Sequence, residues 1–219
     1  MNQKLIETGK YRLTALLPEA PCEGIIYIPS HGDAEAIAEL LPRPRAALVF
    51  ISGFDWNRDL SPWPAKAVFG DEDFGGQADA FLDILLREII PAAERACGFT
   101  PRWRGIAGYS LAGLFAAYAV CRTDAFTRVA SVSGSMWYDG WMDYARIHIP
   151  VSVTRAYFSV GAKEKKTRNV RMQSVEENTR AMHELFLSRG VKSAFELNPG
   201  NHFVDMEKRM SRAIEFLTE

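Results

Sequence analysis

The stretch that most restricts what this chain can fold into is Gly105-Ile-Ala-Gly-Tyr-Ser-Leu-Ala-Gly-Leu-Phe115. Residues 103–109 read as a short buried strand, and residues 111–122 are rich in alanine and leucine at helical spacing. A serine between strand and helix, with Gly108 two before it, Ala112 two after and Gly113 next, fits a nucleophile elbow. There the backbone turns so sharply that only small residues fit beside the serine, and its hydroxyl is held out of the sheet in a strained conformation. Ala112 stands where the usual pattern has glycine. Small residues also let a helix pack closely on a sheet, so the elbow reading draws its weight from its flanks and from the partners described below.

The flanks repeat one rhythm. Residues 11–17 and 24–28 have the short, branched, alternating look of strands, closed by Pro18 and Pro29. Ser30-His31-Gly32-Asp33 then leads into an amphipathic helix over 34–41, with Asp33 as its capping residue and Pro42 and Pro44 as its stop. Residues 45–52 are nearly all apolar, as a strand buried on both faces of a parallel sheet must be. Further helices are expected over 77–97 (with Pro91 kinking or cutting it), 170–189 and 203–217, and further strands over 128–132, 151–160 and 192–197.

Alternating strands and helices predict a mostly parallel central sheet with helices on both faces, and such sheets bind ligands beyond the carboxyl ends of their strands. The loops after Ile28, Ile51, Tyr109, Val132, Val160 and Leu197 all leave the sheet at that edge. Two of the connections, 53–76 and 133–150, are long, irregular and aromatic, which in a compact domain marks functional loops.

Composition narrows the function classes. Lys plus Arg number 26 against 27 Asp plus Glu, so no global field draws nucleic acid or an anionic membrane. The 219 residues suit a single domain, 1–219, with a sizeable core. The N-terminal residues lack the apolar run of a signal peptide, and no stretch is long enough to span a bilayer. Three widely spaced cysteines, Cys22, Cys97 and Cys121, read as buried thiols in a reducing compartment, so a cytoplasmic location is expected.

A serine nucleophile needs a base to take its proton and a third group to orient that base. Of the four histidines, His183 falls inside a helix and His148 at the start of a strand, whereas His202 sits in the loop between the last strand and the last helix, on the active edge. It also follows the chain order nucleophile, acid, histidine. Glu164 in Gly161-Ala-Lys-Glu164 is the first carboxylate offered where the chain leaves the strand ending near Val160; Asp139 and Asp143, after the preceding strand, are its competitors. Attack on a carbonyl creates an oxyanion that needs two preorganised N–H donors. The backbone amides of Leu111 and Asp33 are assigned to it, with Gly32 as the near alternative and His31 as a structural residue. Trp56, Arg58, Trp63, Trp137 and Tyr138 in the two long loops are candidates for the substrate-binding walls.

These residues resemble the Putative esterase branch of the α/β hydrolases, and within it the enterobactin-type siderophore trilactone esterases. The similarity runs over most of the chain. Gly108-Tyr-Ser-Leu-Ala-Gly-Leu-Phe115 matches the family elbow Gly-His-Ser-x-Gly-Gly-Leu-Phe; Arg58-Asp-Leu-Ser-Pro-Trp63 with Phe74-Gly-Gly76, and Ser133-Gly-Ser-Met-Trp-Tyr138, match two more specific segments. The departures are Tyr109 for the family histidine, Ala112 for a glycine, Phe203 after His202 where glycine is common, and a compact chain. The resemblance implies an α/β-hydrolase fold with little or no separate cap domain and a serine esterase that passes through an acyl-enzyme on Ser110 with His202. It implies a small-molecule ester substrate, siderophore-type or aromatic acyl, and no metal or organic cofactor. A thioesterase, a feruloyl-type or short-chain carboxylesterase, or a non-catalytic binding protein on the same fold are the alternatives.

Overall fold

The computed structural model describes residues 1–32, 34–41, 44–68, 70–148 and 150–219. Eight strands make the main sheet in the order β1-β2-β4-β3-β7-β8-β9-β10. They are β1 (Asn2–Thr8), β2 (Tyr11–Leu17), β3 (Gly24–Pro29), β4 (Ala46–Ser52), β7 (Trp103–Tyr109), β8 (Arg128–Val132), β9 (Arg155–Gly161) and β10 (Lys192–Asn198). β5 (Pro64–Ala65) and β6 (Phe74–Gly75) form a small separate ribbon. β2 runs antiparallel to both of its neighbours, and every other pairing in the main sheet is parallel.

Period-two alternation feeds two cores. Ile25, Tyr27, Val49 and Ile106 point to one face, which is covered by α3 (Ala78–Ile84), α4 (Ile90–Cys97), α5 (Leu111–Arg122) and α7 (Val175–Leu187). Ile26, Ile28, Leu48 and Ala107 point to the other, which is covered by α1 (Ala34–Glu39) and α8 (Met206–Thr218). This two-sided burial explains why the central strands read as unbroken apolar runs. Two short helices, α2 (Trp56–Asp59) and α6 (Trp141–Ile147), lie within the long connections.

Register sets the active edge. Tyr109 pairs with Val132, and Asn198 with Gly161, so the chain leaves β7, β8, β9 and β10 at one end of the sheet. The elbow, the 133–140 segment, the 162–169 segment and the 199–205 loop therefore start side by side.

Several expectations are corrected. Pro91 does not cut its helix short: a π-helical turn, Leu85–Ile89, joins α3 to α4, and the Ile90 amide reaches back to the Leu85 carbonyl. A proline ring collides with the carbonyl four residues back, and the wider π turn gives it room. The strand expected over 151–160 begins only at Arg155, and His148 caps α6, with its ring stacked at 4.0 Å on Tyr144. The segment 133–150, expected to be irregular, contains α6. The helix expected from 170 opens as a 3-10 turn, Val170–Ser174, and is α-helical only from Val175. β1 was not expected at all; its side chains are mostly exposed, so it carries no apolar alternation. Cys97 is buried, Cys22 and Cys121 half-buried, and burial pushes the Cys121 thiol up to about 12.

Candidate active site

Ser110 sits at the junction of β7 and α5 with φ 57° and ψ −123°, a conformation that non-glycine residues adopt only under constraint. The constraint is visible on both sides. The Ser110 amide donates to Val132 O (3.1 Å), and the Ser110 carbonyl accepts from the amides of Gly113 (3.0 Å), Leu114 (3.2 Å) and Ser135 (3.0 Å). The small neighbours are required by close approach. A Cβ on Gly108 would lie 2.2 Å from the Ala112 carbonyl oxygen, and one on Gly113 would lie 2.9 Å from the Gly108 oxygen. Ala112 fits fully buried in the first turn of α5.

Leu111 is the first residue of α5, so its amide has no acceptor within the helix and is directed out of the helix N-terminus. The other amide assigned to the oxyanion belongs to Asp33, which lies outside the described residues, as does Pro42. The Gly32 amide is engaged, donating to Ser30 Oγ at 2.8 Å. His31 packs edge-on against Phe54 (4.9 Å) and Trp56 (5.2 Å).

Glu164 and His202 meet. Glu164 Oε2 lies 2.7 Å from His202 Nδ1, with the Glu164 side chain 6% exposed and that of His202 29%. A carboxylate only accepts, so Nδ1 carries the proton and Nε2 is left as the basic nitrogen. The other carboxylate oxygen, Oε1, accepts from the Gly161 amide at 2.6 Å. Burial pushes the Glu164 carboxyl up, but the hydrogen bond and charge of His202 and the Gly161 amide outweigh it, and the group ends below the ordinary glutamate range. The competitors are occupied elsewhere: Asp139 pairs with Arg171 (2.8 Å), and the exposed Asp143 pairs with Arg146 (3.2 Å).

Two residues of this site are given no role by the sequence reading. Tyr109, immediately before the serine, donates its hydroxyl to the His202 carbonyl at 2.5 Å, and its ring lies 5.3 Å from the imidazole. Arg209, fully buried on α8, reaches Glu164, Ser133, Tyr109 and the 199–201 backbone. No local pattern marks it, because its partners lie 8 to 100 positions away in the chain.

The residues expected to wall the substrate divide. Trp63, Trp137 and Tyr138 join the two long loops: Tyr138 donates to the Trp63 carbonyl (2.6 Å), Trp63 Nε1 donates to the Asp139 carbonyl (2.8 Å), and Trp137 packs on Phe74 (6.1 Å). Tyr138 is 2% exposed and Trp137 9%. Trp56 is half-buried beside His31. Arg58 grips Asp59 through Nε (2.8 Å) and Nη2 (3.2 Å). It lines a hollow of about 400 Å³ to which none of Ser110, Glu164 and His202 contributes. Among the described residues no group of three or more His, Cys, Asp or Glu side chains is placed to hold a metal ion, and no helix is long and apolar enough to cross a membrane.

A family model described as Putative esterase matches residues 31–214. The chain belongs to that family. No curated protein sequence matches it. Among solved structures it is similar to the siderophore hydrolase EstA from Aspergillus nidulans, with TM-score 0.78 and 18% identity over 99% of this chain and 93% of that one. It is similar to the enterobactin hydrolase IroE in complex with DFP (TM-score 0.72, 18% identity, 99% and 94% covered). A third is the fluorophosphonate-binding serine hydrolase FphF from Staphylococcus aureus (TM-score 0.63, 13% identity, 100% and 98% covered). At these identities the likeness is one of fold, and the fold is that of the α/β-hydrolase esterases.

Proposed function

We propose that this family member is a serine esterase in which Ser110 attacks the ester carbonyl, His202 acts as base and then acid, and Glu164 orients and charge-balances His202. The observation that carries the reading is the 2.7 Å contact between Glu164 Oε2 and His202 Nδ1, in a loop tied by Tyr109 to a serine with φ 57°. Nε2 of that imidazole takes the serine proton as Oγ bonds to the carbonyl carbon, and the imidazolium returns it to the departing alcohol. Water then repeats the sequence on the acyl-enzyme and releases the acid. The negative oxygen formed in each half is met by the Leu111 amide, with the Asp33 amide as the proposed second donor.

The substrate proposal is a small ester with an aromatic or siderophore-type acyl group. It is supported by the named activities of EstA and IroE and by a ferulic acid esterase of similar fold (TM-score 0.64, 13% identity). The test is release of free acid from a panel of catechol-type, aryl and alkyl esters by the wild type and by Ser110→Ala. Hydrolysis by the wild type, fastest on the aromatic acyl esters and absent from the variant, is the expected result. Equal rates for the two proteins would reject the nucleophile, and a preference for short alkyl acyl groups would reject the substrate class.

A further inference from the structure

We propose that Arg209 is a positioning residue for this site, setting the acid and histidine loops in register with the nucleophile elbow through Tyr109. The proposal rests on the roles given above to Ser110, His202 and Glu164. Arg209 is 0% exposed and belongs to the first turn of α8, where its amide donates to the Asp205 carbonyl at 2.9 Å. Its Nη1 lies 3.0 Å from Ser133 Oγ, 3.3 Å from Glu164 Oε1 and 3.3 Å from the Tyr109 hydroxyl. Its Nη2 donates to the carbonyls of Pro199 (2.8 Å) and Asn201 (2.9 Å).

Those acceptors come from four separate segments, and each segment carries or adjoins a group of the site. Tyr109 precedes the serine, Ser133 opens the loop after β8, Glu164 is the acid, and Pro199 and Asn201 lead into His202. A buried guanidinium is costly to desolvate, and an apolar side chain of similar volume would hold the α8 face at least as well. What the apolar residue lacks is the planar fork that fixes several oxygens at set angles.

The arrangement divides the labour within Glu164. Oε1 is held by the Gly161 amide and Arg209, which leaves Oε2 free for His202 Nδ1. The imidazole is fixed through its own backbone as well, because Tyr109, which contacts Arg209, donates to the His202 carbonyl.

The test compares the wild type, Arg209→Lys and Tyr109→Phe in steady-state hydrolysis of an aryl ester. The far-downfield proton resonance of His202 Nδ1–H is followed alongside, and folding is checked by circular dichroism. Arg209→Lys keeps the charge and loses the fork, so kcat should fall about 10²-fold, with KM nearly unchanged and the Nδ1–H resonance shifted or broadened. Tyr109→Phe removes one hydroxyl and should lower kcat by about five- to tenfold, again at constant KM. Should Arg209→Lys fail to fold, the Tyr109→Phe result decides alone. Folded variants with wild-type kcat and an unmoved resonance overturn the proposal while leaving the esterase reading intact. A wild type that neither hydrolyses esters nor takes a fluorophosphonate on Ser110 overturns both.

Discussion

Arg171 and Arg209 each join segments far apart in the chain, the first near the surface and the second in the interior. Arg171, 26% exposed, pairs with Asp139 (2.8 Å), donates to the Lys66 carbonyl (2.8 Å) and lies over the Trp137 ring (5.8 Å), so it clasps the two long loops together. Arg209, 0% exposed, ties Glu164 to the His202 loop and to Tyr109. The clasp is backed by aromatic packing, since Trp63 also contacts Tyr118, Tyr138 and Tyr144. The interior tie is made to polar groups, namely Glu164, Ser133, the Tyr109 hydroxyl and the Pro199 and Asn201 carbonyls. Where apolar contact shares the work, losing an ion pair costs little; where a buried charge is the link, losing it leaves other charges stranded.

The largest contrast concerns the acid on each arginine. Glu164→Gln keeps the shape but cannot balance an imidazolium, and kcat should fall by about 10³- to 10⁴-fold, whereas Asp139→Asn should leave kcat within about twofold; ester hydrolysis of both variants measures this. An Asp139→Asn loss as deep as that of Glu164→Gln would move the acid to the surface pair. Next in size is Arg209→Ala, which takes the guanidinium away from a carboxylate of 6% exposure and should cost about 3–5 kcal/mol in urea unfolding.

The acid limb of stability sharpens the same comparison. The folded Glu164 carboxyl titrates below its ordinary value of 4.5, so its stabilising contribution is complete above that value and is lost as pH falls through the folded pKa. Thermal melts of the wild type should therefore drop more steeply in acid than those of Glu164→Gln, and parallel curves would contradict the assigned surroundings of Glu164. The smallest effect belongs to the surface: Arg171→Ala should cost about 1 kcal/mol or less in the same unfolding measurement. A loss matching that of Arg209→Ala would show that the aromatic clasp does not stand on its own.

The two ties also differ in how far the sequence reveals them. Ser110 is legible because the elbow is local: Gly108 is dictated by backbone approaches from Ala112 and Gly113, within five residues of it. Glu164 and His202 stand out because each is the first fitting side chain after a strand that ends at the active edge, and the structure sets them 2.7 Å apart. The parallel core is legible because burial on both faces leaves unbroken apolar runs such as residues 46–51. Arg209 is hidden because its meaning lies in acceptors on four other segments, and in the sequence it is one basic residue on an amphipathic helix. β1 is hidden because an exposed edge strand is held by backbone pairing to β2 and needs no apolar pattern. Pro91 misleads on where the helix ends because the π turn before it gives the ring room that an α-helical turn would not.

The most direct measurement of the central claim is the intact mass of the protein after exposure to a fluorophosphonate, with Ser110→Ala treated in parallel. One adduct is expected on the wild type, placed on Ser110 by peptide mapping, and none on the variant. A folded wild type that takes no adduct, or a Ser110→Ala protein that takes the same one, would contradict it.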